Sequence, residues 1–156
     1  MPSIERELHD CCRAAFEQLC FMFDMPELAE SQAGDPVAAV AEVRFRGGTS
    51  GRLVLETTAP LFAAAAAQML GTGQTTLQQQ QDAIGELANV ICGNVLPALS
   101  RRAQRYSIGR PAIIRDIPGY RRRVAVPEAS ASVNFDQGRA SVALYLDRRR
   151  TPGVRA

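Results

Sequence analysis

Asp82, Glu86, Asn89 and Gly93 follow one another at steps of four, three and four. On a helix turning about 100° per residue they share a band only about 60° wide. Asn89 offers both a hydrogen-bond donor and an acceptor. Gly93, one turn further on, removes a side chain where another surface can approach closely. Asn is a mediocre helix former and Gly costs about 1 kcal/mol against Ala, and Gly85 adds a second such cost beside Glu86. A helix optimised only for stability would carry Glu, Lys, Gln or Arg at these places. The pattern reads either as ordinary solvent-facing residues or as a contact face, and spacing alone does not name the chemistry.

The rest of the inventory removes most alternatives. All 18 basic residues are Arg, which excludes a P-loop lysine, a Schiff-base lysine and a lysine general base. The single histidine, His9, would have to anchor any His-based triad or metal site. Cys11, Cys12, Cys20 and Cys92 form neither a C-x-x-C pair nor the C-x5-R loop of cysteine phosphatases. His9, Cys11 and Cys12 diverge around a helix and read as no metal site. Gly71-Thr72-Gly73 follows a helix rather than a strand, a poor match to a nucleotide loop. Residues Ile4 to His9 are charged where a signal peptide would be apolar, and the apolar stretch Ala59–Ala67 is too short for a bilayer. The expectation is a cytoplasmic protein with reduced thiols.

The elements that must position the band follow from periodicity. With 156 residues, 46% hydrophobic and 22% charged, the chain reads as one domain over 1–147 with a flexible Arg-rich tail over 148–156. Such a domain buries roughly 70% of its unfolded surface and needs no disulfide or metal. Residues 4–23 place Leu8, Cys12, Phe16, Leu19 and Phe23 on one apolar stripe of a helix. A loop over 24–36 leads to strands at Val37–Arg46 and Arg52–Thr57, joined by the glycine-bearing turn Gly47–Gly51. Pro60 opens a helix that Gly71 stops.

The long helix carrying the band spans about Thr76 to Ala103, with Ile84, Leu87, Ala88, Ile91, Val95 and Ala98 as its core face. Pro97 cannot donate to the Gly93 carbonyl, so a kink is expected just after the band. It would re-aim Asn94 and leave Asp82 and Glu86 on the straight half. A strand-like piece near Tyr106–Ile114, a Pro- and Arg-containing loop, and a hairpin of Ala129–Phe135 with Arg139–Leu146 complete the order. This is an α+β fold, a largely antiparallel sheet packed by long helices. The last strand is expected to offer an exposed edge for pairing between subunits. Basic and acidic residues number 18 and 16, so Arg121–Arg123 and Arg148–Arg150 read as solvated surface, and neither nucleic acid nor a membrane is expected as partner.

The full spelling from Asp82 to Leu96 resembles the D-x-x-x-E-x-x-N-x-x-x-G signature of the CheC/CheX/FliY family of bacterial chemotaxis phosphatases. The copy is single, as in CheX. The resemblance implies a CheX-like α+β fold and a hydrolase acting on the aspartyl phosphate of a CheY-type response regulator. It also implies a homodimer with no cofactor of its own, the Mg²⁺ and a lysine being supplied by the phosphorylated receiver. Asn89 would match the residue that aligns the attacking water, and Glu86 the one that pairs with the partner's lysine. Asp82, Gly85, Gly93 and Asn94 would lie on the partner-binding face. Such chemistry is mostly positioning and shared electrostatics, so a chain without lysine or a thiol motif fits it. The alternative is a non-catalytic CheX-like module that uses the same face to bind a receiver or a flagellar switch component.

Overall fold

The computed structural model describes residues 3–99, 105–123 and 125–147. Helix α1 (Ile4–Cys20) starts at Ser3, whose hydroxyl accepts from the Arg6 N–H at 3.2 Å. It stops where Phe21 enters the left-handed region at φ 54°. The N–H groups of Phe21 and Met22 then donate to the Glu17 and Phe16 carbonyls at 3.1 and 3.3 Å, satisfying acceptors the last turn would leave open. Leu8, Cys12, Phe16 and Cys20 are buried, but Phe23 lies beyond the turn, 61% exposed. The apolar stripe is therefore shorter than expected.

The segment expected to be a loop over 24–36 contains a 3-10 turn at Pro26–Leu28 and a one-turn helix, α2 (Ala29–Gln32). A buried polar network holds it. Gln32 Nε2 donates to the Phe135 carbonyl at 2.7 Å, and Gln32 Oε1 accepts from Asn134 Nδ2 at 2.9 Å. Strands β1 (Val37–Arg46) and β2 (Gly51–Thr58) form the expected hairpin. Helix α3 (Ala59–Leu70) ends at Gly71, whose φ of 66° suits the residue without a Cβ.

Helix α4 (Leu77–Val95) opens with a capping box. The Thr76 hydroxyl accepts from the Gln79 N–H at 3.1 Å, and the Gln79 side chain accepts from the Thr76 N–H at 2.9 Å. The α-helix does not reach Ala103. It tightens into a 3-10 turn at Leu96–Leu99, because Pro97 removes one i to i−4 bond. The change falls after Asn94, and it turns Ala98 out of the core face into solvent. Residues 100–104 lie outside the described residues, as does the tail from 148.

Two short strands, β3 (Ser107–Ile108) and β4 (Ala112–Ile113), replace the single strand-like piece, and both pair with the same edge of β1. Gly109-Arg110-Pro111 interrupts them where Pro111 has no N–H for a ladder. The expected Pro- and Arg-containing loop folds partly into α5 (Ile117–Arg123). Asp116 Oδ1 accepts from the Gly119 N–H at 3.1 Å. Strands β5 (Ala129–Phe135) and β6 (Gly138–Leu146) form the closing hairpin.

The sheet runs in the order β3-β1-β2-β6-β5, with β4 beside β3 on the β1 edge, and every pairing is antiparallel. The fold is α+β. The last strand, β6, lies between β2 and β5 and is not the expected edge, since β2 takes up its outer hydrogen-bonding row. Helices α1, α3 and α4 cover one face of the sheet around Phe16, Leu53, Leu55, Leu61, Leu87 and Ile91. Each such side chain contributes roughly 1.5–3 kcal/mol by burial. On the other face, Tyr120 of α5 packs on Val40 and Val54. Among the described residues no helix is long and apolar enough to cross a membrane.

Candidate functional site

Packing against α1, α3 and β1 fixes the rotation of α4 about its axis. Ile84, Leu87, Ala88, Ile91 and Val95 are buried, and Asp82, Glu86, Asn89, Gly93 and Asn94 are exposed. The side-chain period of the helix thus lifts the polar band onto an outward ridge, all of it before the 3-10 turn.

The ridge residues are poorly engaged within the chain. Asp82 Oδ1 accepts from Gln78 Nε2 at 2.8 Å, one turn back on the same helix. The side chains of Glu86 and Asn89 make no hydrogen bond or ion pair among the described residues. Two acidic groups and a carboxamide without cationic partners form a ready acceptor for a positive group from outside. Beneath them lies the Cys20 thiol, fully buried and donating to the Ala65 carbonyl. Burial first, and the nearby Glu86 charge second, push that thiol up to about 12. It therefore stays neutral and takes no part as a nucleophile.

The two glycines of the helix serve different ends. Gly85 is buried, and a Cβ there would sit 3.1 Å from the Pro111 Cβ. Its missing side chain admits the edge segment of its own chain, so it is a packing residue rather than part of an outward face. Gly93 is exposed, and a Cβ there would meet only Ile108 Cδ1, at the ordinary distance of 3.8 Å. Nothing within the described chain requires glycine at 93.

Grooves flank the ridge on both sides. Leu19, Met69, Leu70 and Gln79 line one, together with Asp82, Ala83 and Glu86. The other, about 330 Å³, runs between α4 and the broken edge strand and brings Asp82, Glu86 and Asn89 together with Gln81, Gly85, Pro111 and Ile113. Pro111 and Ile113 escaped the sequence reading, and no local signal marks them. They reach the site only because β4 pairs with β1, Ala41 opposite Ile113. No group of three or more His, Cys, Asp or Glu among the described residues is placed to hold a metal ion.

The sequence model of chemotaxis phosphatase CheX matches residues 39–136, a stretch from β1 to the end of β5 that includes all of α4. The chain belongs to the CheX family. No curated protein matches it by sequence. Among solved structures it is similar to a CheX from Desulfovibrio desulfuricans, with a TM-score of 0.67 and 20% identity, covering 92% of this chain and 99% of that one. The CheX of the CheX–CheY–BeF3–Mg²⁺ complex from Borrelia burgdorferi gives 0.66 and 12%, with 94% and 99% covered. FliY from Thermotoga maritima gives 0.52 and 13%, with 94% and 91% covered. At these identities the likeness is one of fold, the α+β arrangement described above.

Proposed function

We propose that this CheX-family chain removes the phosphoryl group from the aspartyl phosphate of a CheY-type response regulator in chemotaxis or a related two-component pathway. The observation that carries the reading is the ridge of α4, where Glu86 and Asn89 stand one turn apart, exposed and without partners among the described residues. The presence of CheY in the Borrelia complex with a CheX of the same fold supports it.

In this reading the receiver contributes the phosphorylated Asp, its Mg²⁺ and a lysine. Glu86 pairs with that lysine and sets the register of docking. Asn89, three residues on, then projects towards the phosphoryl group and holds a water by both ends of its carboxamide, in line with the scissile P–O bond. Water oxygen bonds to phosphorus, the aspartate carboxylate leaves, and the water proton passes to phosphate or solvent. Fixing the attacking water and excluding its wrong orientations is where such a site gains its rate. Asp82, Gly93 and Asn94 extend the contact along the ridge. The protein acts in the cytoplasm, where receivers are found, and as a homodimer.

The test is the decay of each CheY-type receiver of the same organism, phosphorylated with Mg²⁺ present, with and without this protein. Wild type is expected to accelerate decay. Asn89→Ala should lower kcat about a hundredfold and leave receiver affinity within about twofold. Glu86→Ala should weaken affinity as well, by about tenfold for a charge pair at an interface. Near-normal turnover by both variants would remove the assignment of roles. Binding without acceleration by wild type would make the chain a non-catalytic module on the same face.

A further inference from the structure

A groove of about 570 Å³ adjoins the one at Glu86 and Asn89. It opens at the first turn of α4, between that turn, α3 and the chain leaving β4. Phe62, Leu77, Ile113 and Ile117 give it an apolar lining, and Arg115 is the cation at its wall. Gln81 and Ile113 line both this groove and the one at the ridge, so the two are a single trough along one flank of α4. From Leu77 to Asn89 the trough follows about 18 Å of helix.

One of its residues is placed against the stability of its own helix. Leu77, the first residue of the helix, is 62% exposed, where an acidic residue would favour the helix end. Arg115 is exposed and makes no ion pair or hydrogen bond among the described residues. The charges along the trough are segregated, with Asp82 and Glu86 towards one end and Arg115 towards the other. Asp82 and Glu86 would meet a phosphoryl group and the acidic residues that hold its metal, a repulsion that the partner's lysine and Mg²⁺ only partly offset. Arg115, at the far end of the same trough, adds an attraction for a carboxylate on the same acidic surface.

We infer that this groove is a second docking site for the receiver: an apolar side chain flanking its phosphorylation pocket enters between Phe62, Leu77 and Ile113, and a neighbouring carboxylate pairs with Arg115. The inference rests on the phosphatase reading above and adds to it where receiver selectivity lies. The ridge meets what every phosphorylated receiver shares. The groove meets surface that differs from one receiver to another, so it separates cognate from non-cognate partners.

The experiment uses full-length protein carrying Leu77→Glu or Arg115→Glu, both at exposed positions, with Arg122→Glu on α5 as an exposed control away from the groove. Affinity is measured for receivers loaded with beryllofluoride and Mg²⁺, and kcat and KM for the phosphorylated forms. Each groove variant is expected to raise Kd and KM for the preferred receiver about tenfold, with kcat within about twofold of wild type and the control unchanged. Arg115→Gln should flatten the rise of KM with salt, since a rim pair is screened by ions. If wild type accelerates receiver decay while both groove variants keep its Kd and KM, the groove proposal fails and the phosphatase reading stands. A fall in kcat at unchanged KM would also overturn it, because the groove would then act in the chemistry rather than in docking. If wild type neither binds nor accelerates any receiver, both readings fall together.

Discussion

Replacing Gly93 by Ala separates a contact role from a structural one, because the two predict opposite signs. Gly93 lies inside α4, and a Cβ added there has as its nearest foreign atom Ile108 Cδ1, at 3.8 Å. The methyl therefore meets no clash within the chain. Helix propensity alone favours the variant by about 0.8–1 kcal/mol, which for a domain of this size raises Tm by about 2–4 °C. At a close interface the same methyl must be accommodated by a partner surface, at a cost of about 1–3 kcal/mol. That corresponds to roughly 5–150-fold weaker receiver binding. Thermal unfolding followed by circular dichroism, beside titration of a beryllofluoride-loaded receiver, reads both quantities on one sample. Higher Tm with weaker binding is the expected pair. Unchanged affinity would remove Gly93 from the contact face, and a fall in Tm would show that the helix needs glycine for its own packing. Gly85→Ala is the contrast: its Cβ would press on Pro111 at 3.1 Å, so its Tm should lie below that of Gly93→Ala.

Two further outcomes test the frame around the site. Gln32→Ala strips partners from the buried Phe135 carbonyl and the Asn134 amide, and should lower stability by about 2–4 kcal/mol in a denaturant titration while leaving receiver turnover per folded molecule intact; a loss below about 1 kcal/mol would mean that water replaces the lost bonds. Burial holds the Cys92 thiol, and burial with Glu86 the Cys20 thiol, up to about 12 against an ordinary 9.0. The unfolded chain ionises these thiols above about pH 9 while the native chain keeps them protonated, so stability should fall as pH rises from about 9 towards 12. Replacing both by Ala should flatten that fall, measured as Tm against pH; an equal slope in the variant would assign the loss to other groups.

The outward ridge was legible in the sequence because helix periodicity is local. Steps of three and four bring residues onto one face whatever the rest of the chain does, and the apolar set Ile84, Leu87, Ala88, Ile91 and Val95 states which way that face must turn. The strands of both hairpins and the stop at Gly71 were legible for the same reason, as was the α+β class. The ends of elements were less so. Phe21 closes α1 early by adopting a conformation rare for its type, and Pro97 shortens α4 by one missing donor. For α5, a signal existed in Asp116 followed by Pro118, a capping residue with a proline in the first turn, but the surrounding arginines read as loop.

Other features depend on residues far apart in the chain. Pairing Ala41 with Ile113 across 72 positions brings Pro111 onto Gly85, and with it one wall of the trough. From the sequence alone Gly85 belongs to the same outward face as Gly93. Only the packed edge segment shows that one glycine serves the chain's own interior while the other leaves open surface. The placement of β6 between β2 and β5 likewise follows from hydrogen bonding that no alternation pattern encodes, since a strand's apolar period is the same at an edge as in the middle of a sheet. The sequence determined which residues stand on the ridge, because that is a matter of angle along one helix. The tertiary structure decided what lies beside them, because burial and backbone pairing are satisfied between segments rather than within them.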